Sequence, residues 1–200
     1  KSQKGAWPDM IPENNRMLPA TSIHVASGGQ EYHLGCIKDV RQAAVCTFDV
    51  IVDCMGRRKL RELHPKLQEG STRIFVFAWN HESGRLDNAQ KLMAILKHPR
   101  ARKILFFCKM GERRSAAVCA VALCAMHGFT PRAAKAQIEE LRKGAMLSEE
   151  ATSVQGHTYS PEFPQVQWLA RALTEKHVQS TGGGHRDWHQ SRPSSSTDSR

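Results

Sequence analysis

The chain has 200 residues and a formal net charge of +10, and 40% of its residues are hydrophobic. This length favours one domain with tails, and no apolar run approaches the roughly twenty residues of a membrane span, which argues against an integral membrane protein. Six cysteines without the spacing of a disulfide framework or a zinc site predict an intracellular, reducing compartment, mitochondrial or cytoplasmic, and no cofactor.

The charge of the chain indicates its partners. Basic residues cluster at Arg57–Arg61, at Lys97–Lys103 and around Arg113, with few acidic residues among them. Such a surface attracts a phosphorylated or polyanionic ligand, including the rRNA of a large assembly. A solvated basic face without a partner is the alternative.

Three segments are predicted along the chain. Residues 1–20 contain three prolines and little periodicity, so they are predicted to form an extended N-terminal arm. Residues 21–177 carry the periodic apolar patterns of a folded domain. Residues 178–200 are rich in Gly, Ser and His, a composition typical of a disordered polar tail.

The first half of the predicted domain alternates strands with helices. Strands are predicted over the β-branched and apolar runs Ser22–Ala26, Glu31–Gly35, Thr47–Cys54, Arg73–Ala78 and Ile104–Phe107. Helices are predicted over Asp39–Val45 and Arg85–Lys97, and a basic, weakly helical connection over Leu60–Leu67. A strand, a helix and a second strand form a parallel crossover. The predicted fold class is therefore α/β, with a central, mainly parallel sheet flanked by helices.

The second half is predicted to be mainly helical. Gly128 ends the first of its helices, and Thr130 caps the next, which opens with a proline. The helices are predicted over Ala116–Met126, Pro131–Arg142 and Glu162–His177, with a polar insertion over Gly144–Thr158.

Chemistry is concentrated in the stretch from Cys108 to Ser115, which joins a predicted strand to a predicted helix. A loop that closes on a helix N-terminus points several backbone N–H groups at one place and favours an anion there. The same field lowers the pKa of a thiol, and the thiolate is the nucleophilic form. Arg114 can grip two phosphate oxygens through its planar fork, and Ser115 can donate a hydrogen bond to the departing thiolate. A buried structural cysteine on a core strand is the alternative. The residues predicted to bind phosphate are Lys109, Met110, Gly111, Glu112, Arg113 and Arg114.

Cys108–Ser115 resembles the signature loop of the cysteine-dependent protein phosphatases, and its flanks resemble their dual-specificity branch. The helix after the loop, the Gly128-Phe129 turn, the helix from Pro131 and Ser160-Pro161 lie where that family has equivalents. The resemblance implies a dual-specificity-phosphatase-like domain and hydrolysis in two steps. A thiolate attacks phosphorus while an Asp protonates the leaving oxygen, and water then releases phosphate with the same Asp as base.

Two residues depart from the family's pattern. Phe107 stands where the family usually has a His that supports the loop, and Asn80 stands where it has the acid. Because Asn cannot donate a proton as an acid, the candidates for this role are Glu82 and His81, and Asp87 is predicted to face solvent. Loss of a general acid typically costs roughly 10²–10⁴-fold in rate.

Three functions therefore remain open. The first is a phosphatase-like domain with an intact phosphate-binding loop and weak or no catalysis. It would be a binding or structural subunit of a larger, RNA-containing assembly such as the mitochondrial ribosome, with rRNA and protein partners. The second is an active protein or phosphoinositide phosphatase that uses Cys108, Arg114, Ser115 and either Glu82 or His81. The third is a module that binds phosphoproteins without hydrolysis.

Lys109 bears on the choice of substrate. It adds positive charge directly after Cys108, which favours highly anionic substrates such as phosphoinositides or RNA ends. An exposed surface lysine without a role is the alternative.

Overall fold

A computed structural model describes residues 20–40, 47–56, 72–79, 84–154, 157–159 and 161–181 of the chain. The predicted arm up to residue 19, the connection Leu60–Leu67 and residues 182–200 of the predicted tail lie outside these residues. So do the candidate acids His81 and Glu82, together with Asn80.

Five strands form the main sheet. They are β1 (Thr21–Val25), β2 (Glu31–Cys36), β3 (Val50–Asp53), β4 (Arg73–Val76) and β5 (Lys103–Cys108). Their order in the sheet is β1-β2-β5-β3-β4. β1 is antiparallel to β2, and the other neighbouring pairs are parallel. The predicted α/β class with a mainly parallel sheet is confirmed.

Five helices are described. They are α1 (Ile37–Val40), α2 (Arg85–Leu96), α3 (Arg114–His127), α4 (Pro131–Leu141) and α5 (Phe163–Thr181). The cap of α4 is as predicted, because the Thr130 hydroxyl accepts the Ala133 N–H at 3.2 Å and Pro131 opens the helix. Gly128 ends α3 in the left-handed conformation, with φ of 69°, as its position predicted.

Most predicted bounds differ from the structure by at least one residue, and three elements illustrate the differences. β3 begins at Val50 rather than Thr47, and the Asp49 carboxylate just before it accepts the backbone N–H groups of Arg102 and Lys103. α1 begins at Ile37, before the predicted Asp39. α5 continues to Thr181 rather than ending at His177, since the residues that break helices, three glycines, come only after Thr181.

The predicted polar insertion contains a second, small sheet that the sequence analysis missed. Two antiparallel strands, β6 (Thr152–Val154) and β7 (His157–Tyr159), pair with each other. Their sequences are short and rich in β-branched residues, and two residues separate them, which is the spacing of a tight hairpin. Strands of three residues give too short a pattern to stand out from a polar loop.

The central strand β5 is buried on both faces, as parallel strands at the middle of a sheet usually are. Ile104, Phe106 and Cys108 belong to the large core under the long helices, whereas Leu105 and Phe107 belong to a smaller cluster on the other face. α3 packs into the large core with every residue from Ser115 to Cys124 buried. The strand and the helix that hold the phosphatase-like loop are therefore fixed by the densest part of the fold.

Candidate phosphate-binding site

Cys108 lies at the carboxyl end of the central strand, which is where open parallel sheets bind their ligands. It pairs in register with Cys36 of β2, and on the other side the Cys54 N–H donates to the Phe107 carbonyl at 3.0 Å. Residues 109–113 then form a loop that ends at the start of α3. The Ile37 N–H reaches the Lys109 carbonyl at 3.4 Å, so the loop is tied to its neighbour from its first residue.

The loop curls around the sulfur of Cys108. The Gly111 N–H donates to Sγ at 3.3 Å, and the Ser115 hydroxyl lies 3.2 Å from it. Only 3% of Cys108 is exposed. Residues three and seven positions along the chain thus converge on one sulfur atom, as the strand–loop–helix pattern predicted.

The thiol of Cys108 differs electrostatically from the other described cysteines. Burial raises its pKa, but the hydroxyl and amide of Ser115, the charge of Arg114 and the Gly111 amide outweigh burial and lower the pKa below its ordinary value. Burial raises the pKa of each of the others, which are Cys36, Cys54, Cys119 and Cys124. A buried thiol with a lowered pKa has the properties of a nucleophile rather than of a structural cysteine.

Gly111 is the position in the loop where only glycine fits. Its φ is 76°, a conformation that L side chains rarely adopt. A Cβ there would lie 2.6 Å from the Gly35 carbonyl oxygen and 2.7 Å from Nη2 of Arg142. The loop is therefore packed closely against the end of β2 and against the guanidinium of Arg142.

Arg142 is the first of three residues of this site that the sequence did not reveal. It follows α4 and is 1% exposed, and its Nε donates to the Gly111 carbonyl at 3.1 Å. Nη1 donates to the Leu34 carbonyl at 3.1 Å and to the Thr21 hydroxyl at 2.9 Å. In a trans peptide the C=O and the N–H point in opposite directions. Because Arg142 binds the Gly111 carbonyl, the N–H of the same peptide, which belongs to Glu112, points away from Arg142. The sequence offers no signal for this contact across 31 positions.

Arg113 was predicted to bind phosphate, and its side chain instead forms an ion pair with Glu162. Nε and Nη2 lie 2.9 and 3.0 Å from the two carboxylate oxygens, and Ser148 bridges the pair. This pair ties the loop to the residue before α5 and engages two of the three guanidinium nitrogens of Arg113 with a carboxylate. Neither Glu162 nor Ser148 was predicted, because both lie at least 35 residues from Arg113.

The other residues predicted to bind phosphate differ in their exposure and in their charged neighbours. Arg114 is half-buried, and within the described part of the chain its guanidinium has no protein acceptor. Lys109 is exposed and Met110 half-buried. The Glu112 carboxylate lies beside Gly144, and burial raises its pKa while the charge of Arg142 opposes that change. Arg114 is thus the cation of the loop that is available to a ligand close to the sulfur.

Solved phosphatase structures share this architecture. The chain matches PTPMT1 with a TM-score of 0.57 and 15% identity over 80% of this chain and 99% of that one. It matches human DUSP28 with a TM-score of 0.52 and 18% identity over 78% and 96%. A leucine-rich repeat and phosphatase domain protein from Entamoeba histolytica matches with a TM-score of 0.54 and 13% identity over 80% and 96%. The chain has a dual-specificity-phosphatase-like fold.

The sequence itself matches no family model and no curated protein. The similarity to dual-specificity phosphatases is therefore carried by the three-dimensional structure. It covers about four fifths of the chain and nearly the whole of the matched phosphatases. The family suggested by residues 108–115 is confirmed at the level of fold.

Phe107 shows how this dual-specificity-phosphatase-like fold accommodates its departure from the family's pattern. Its ring is fully buried with Leu105 and Ile51 on the face of the sheet opposite Cys108. A phenyl ring cannot hydrogen-bond, and the side chains that tie the loop to later parts of the chain are those of Arg142 and Arg113. The loop is therefore supported from α4 and from the start of α5.

The loop that would carry the general acid follows β4, and the structure describes it as far as Trp79. In the dual-specificity-phosphatase-like fold this end of β4 lies on the same edge as Cys108, two strands away, or about 10 Å. Arg85 of α2 is buried, donates to the Trp79 carbonyl at 3.1 Å and stacks 5.3 Å from the indole ring. Asp87 is exposed, as predicted. The two ends of the candidate acid loop are thus held together by one arginine.

The described residues include no group of three or more metal-ligating side chains placed to hold an ion. Over the same part of the chain, no helix is long and apolar enough to cross a bilayer.

Proposed function

We propose that this domain is a slow phosphomonoester hydrolase that works through a cysteinyl-phosphate intermediate at Cys108. The observation that supports the proposal is the environment of this one sulfur. It is buried, it accepts the Gly111 N–H, it lies against the Ser115 hydroxyl, and its pKa is lowered where every other described thiol has a raised one.

The chemistry requires two displacements at phosphorus. In the first, the Cys108 thiolate forms an S–P bond, the P–O bond to the leaving group breaks, and an acid gives its proton to the departing oxygen. In the second, water attacks phosphorus and gives its proton to the same side chain, now acting as the base, while the S–P bond breaks and the thiolate returns with Ser115 donating to it. Arg114 and the loop amides would stabilise the charge on the phosphoryl oxygens in both transition states.

Turnover is proposed to be slow because the proton donor is not the usual one. Asn80 cannot give a proton, so Glu82 or His81 would have to do so. A weak or misplaced acid costs most when the leaving group is a poor one, such as an alkoxide, and least when it is a phenolate that leaves without a proton.

The substrate class that we propose is a phosphomonoester that carries further negative charge. Lys109 is exposed at the rim of the loop and Arg114 lies beside the sulfur. PTPMT1, one of the similar structures, has been solved in complex with PI(5)P. A phosphoinositide or another multiply phosphorylated molecule would complement both cations.

A series of aryl and alkyl phosphates with leaving groups of increasing pKa tests the proposal. The wild-type chain should hydrolyse the aryl esters with a steep dependence on leaving-group pKa, and mass spectrometry of acid-quenched samples should detect phosphate on Cys108. Cys108→Ser should abolish both signals. Cys124→Ser, which changes a nearly buried thiol whose raised pKa is about 11, is the matched control and should leave them unchanged. Hydrolysis that survives in Cys108→Ser contradicts the proposal.

The same series assigns the acid. Glu82→Gln or His81→Ala should lower the rate with alkyl phosphates much more than with aryl phosphates, and should remove the descending limb of the pH profile. If neither change has this effect, neither side chain is the acid.

A second candidate is a phosphate-binding subunit of a larger RNA-containing assembly, such as the mitochondrial ribosome, with rRNA and protein partners. The observations that favour it are the net charge of +10 and the residues Phe107 and Asn80 at positions where catalysis would need others. Sedimentation of a native extract decides between the two. Migration with large particles that is lost after ribonuclease treatment supports the subunit, and migration as a free protein contradicts it.

A further inference from the structure

A basic cavity lies at the edge of the sheet opposite Cys108. It has a volume of about 760 Å³ and is formed where β3, β4 and β5 begin and where the chain leaves α2. The length of β5 separates it from the sulfur by about 17 Å. It is lined by three arginines, a histidine, a carboxylate and apolar residues, namely Asp49, Val50, Arg73, Ile95, His98, Pro99, Arg100, Ala101 and Arg102.

The cations of this cavity are not neutralised by the part of the chain that the structure describes. Arg73, Arg100 and Arg102 are exposed, and their guanidinium groups form no ion pair or hydrogen bond with any of the described residues. The carboxylate in the lining, that of Asp49, accepts the backbone N–H groups of Arg102 and Lys103 at 3.1 and 2.8 Å. A ligand with several anionic oxygens would satisfy the three guanidinium groups to which the described residues offer no acceptor.

The other half of the lining indicates that the ligand is not a simple ion. Val50, Ile95, Pro99 and Ala101 give the cavity an apolar wall, and its volume is within the roughly 300–1,000 Å³ of small-molecule sites. His98 accepts the Arg100 N–H on Nδ1 at 3.2 Å. In that arrangement its Nε2 carries a proton and is a further donor.

We propose that this cavity binds a small organic molecule that carries two or more phosphate groups on a compact core. A nucleoside diphosphate and an inositol polyphosphate share this chemistry. The proposal is independent of the reaction at Cys108, because the two sites lie at opposite ends of β5 and have no residue in common.

The experiment is calorimetric titration of the full chain with inorganic tripolyphosphate. Arg114→Gln is used as the background so that the loop at Cys108 contributes little. We expect binding to persist in this background and to weaken at least tenfold when Arg73, Arg100 and Arg102 are all changed to Gln. The matched control removes three charges elsewhere, through Arg132→Gln, Lys143→Gln and Arg171→Gln at exposed positions, and should weaken binding less than twofold.

Titrations with ADP and with an inositol trisphosphate identify the core. If ADP or the inositol trisphosphate binds more tightly than tripolyphosphate, its organic core contacts the apolar wall. The compound that does so shows whether the cavity takes a nucleotide or an inositol phosphate. If neither does so, the proposal of an organic ligand is wrong.

Two further outcomes would overturn the proposal. An equal loss of affinity in the control variant would mean that net charge alone attracts the probe. Binding of a single-stranded oligoribonucleotide that depends on the three arginines, without binding of tripolyphosphate, would make this edge an RNA surface. Thermal melting of each variant verifies that the fold is retained, and the rate with an aryl phosphate should be the same in the cavity variant and in the control variant.

Discussion

The two edges of the central sheet, which we propose as anion sites, are built in different ways. At the carboxyl edge, the polar groups of the loop are held by buried partners, such as the guanidinium of Arg142 on the Gly111 carbonyl. At the amino edge, Arg73, Arg100 and Arg102 are exposed and have no acidic partner in the described chain. The first edge is organised before a ligand arrives, which suits a transition state. The second edge relies on charge, which suits binding.

The difference follows from what surrounds each end of β5. The carboxyl end runs into α3, which is buried over ten successive residues, and is crossed by side chains from the later half of the chain. The amino end is met by the short connection after α2, whose residues from Lys97 to Arg100 are exposed. Buried donors fix a geometry, whereas exposed cations adapt to the ligand and are screened by salt.

Arg142→Met should have the largest effect, because it removes a buried partner that holds the loop at the carboxyl edge. Methionine fills a similar volume but leaves the carbonyls of Gly111 and Leu34 and the hydroxyl of Thr21 without their buried donor. We expect the free energy of unfolding to fall by about 3–5 kcal/mol. Phosphate affinity at the Cys108 loop should fall tenfold or more, because the peptide after Gly111 is no longer held. Urea denaturation and competition of phosphate with an aryl phosphate substrate measure the two effects.

Arg171→Met is the control for this change. Its guanidinium pairs with Glu175 on the exposed face of α5, so its replacement should leave the urea midpoint nearly unchanged. If Arg142→Met is too unstable to assay, Arg142→Lys keeps the charge but not the fork and should still bind phosphate less tightly. Wild-type affinity in a folded Arg142 variant would mean that the loop is organised without this residue.

The second expected effect is a loss of folding stability as the pH falls. The rings of His24 and His127 lie 4.8 Å apart, next to Tyr32 and Phe129. Burial lowers the pKa of both groups, and the charge of His24 lowers that of His127 further. The unfolded chain therefore takes up protons first as the pH falls below about 6.5. The contribution of His24 and His127 to the free energy of unfolding is therefore fully present above about pH 6.5. It should be lost as the pH falls from 6.5 through the lowered pKa values that these two residues have in the folded state.

Urea midpoints measured from pH 7.5 down to 5 test this loss. The double variant His24→Gln with His127→Gln should show a smaller loss over that range than the wild-type chain. His98→Gln, at an exposed position, is the control and should retain the wild-type slope. An undiminished slope in the double variant would place the titrating groups elsewhere.

The smallest expected effect concerns salt. Raising NaCl from about 50 to about 200 mM should weaken tripolyphosphate binding at the amino edge several-fold, because its arginines are exposed. Phosphate at the Cys108 loop should weaken by less than about twofold over the same range, since its donors are backbone amides, which carry no net charge, and one half-buried guanidinium. Calorimetry on Arg114→Gln and on the variant without the three cavity arginines measures each site separately. Equal salt dependence at the two sites would remove the distinction between the edges.

The features of the fold that depend on neighbouring residues were predictable from the sequence. The strand Lys103–Cys108, the loop and the helix behind it follow from a buried apolar run, a glycine and a run of small residues. The cap at Thr130 and the end of α3 at Gly128 follow from one residue each. The hairpin β6–β7 was not predictable, because its strands are too short for periodicity to be visible.

The sequence by itself determined which thiol would lie at the start of a loop that leads into a helix, because that requires only contiguous residues. It left open what holds the loop. The loop is contacted by three side chains from 30 or more positions away, those of Arg142, Glu162 and Ser148. A charged side chain near a helix end gives the same sequence pattern whether it faces water or a buried carbonyl. Likewise, the cluster from Lys97 to Lys103 was visible as charge, but only the packing of β3, β4 and β5 made a cavity of it. Side chains that are distant in sequence find their partners through the folded backbone, and that is what the tertiary structure decided.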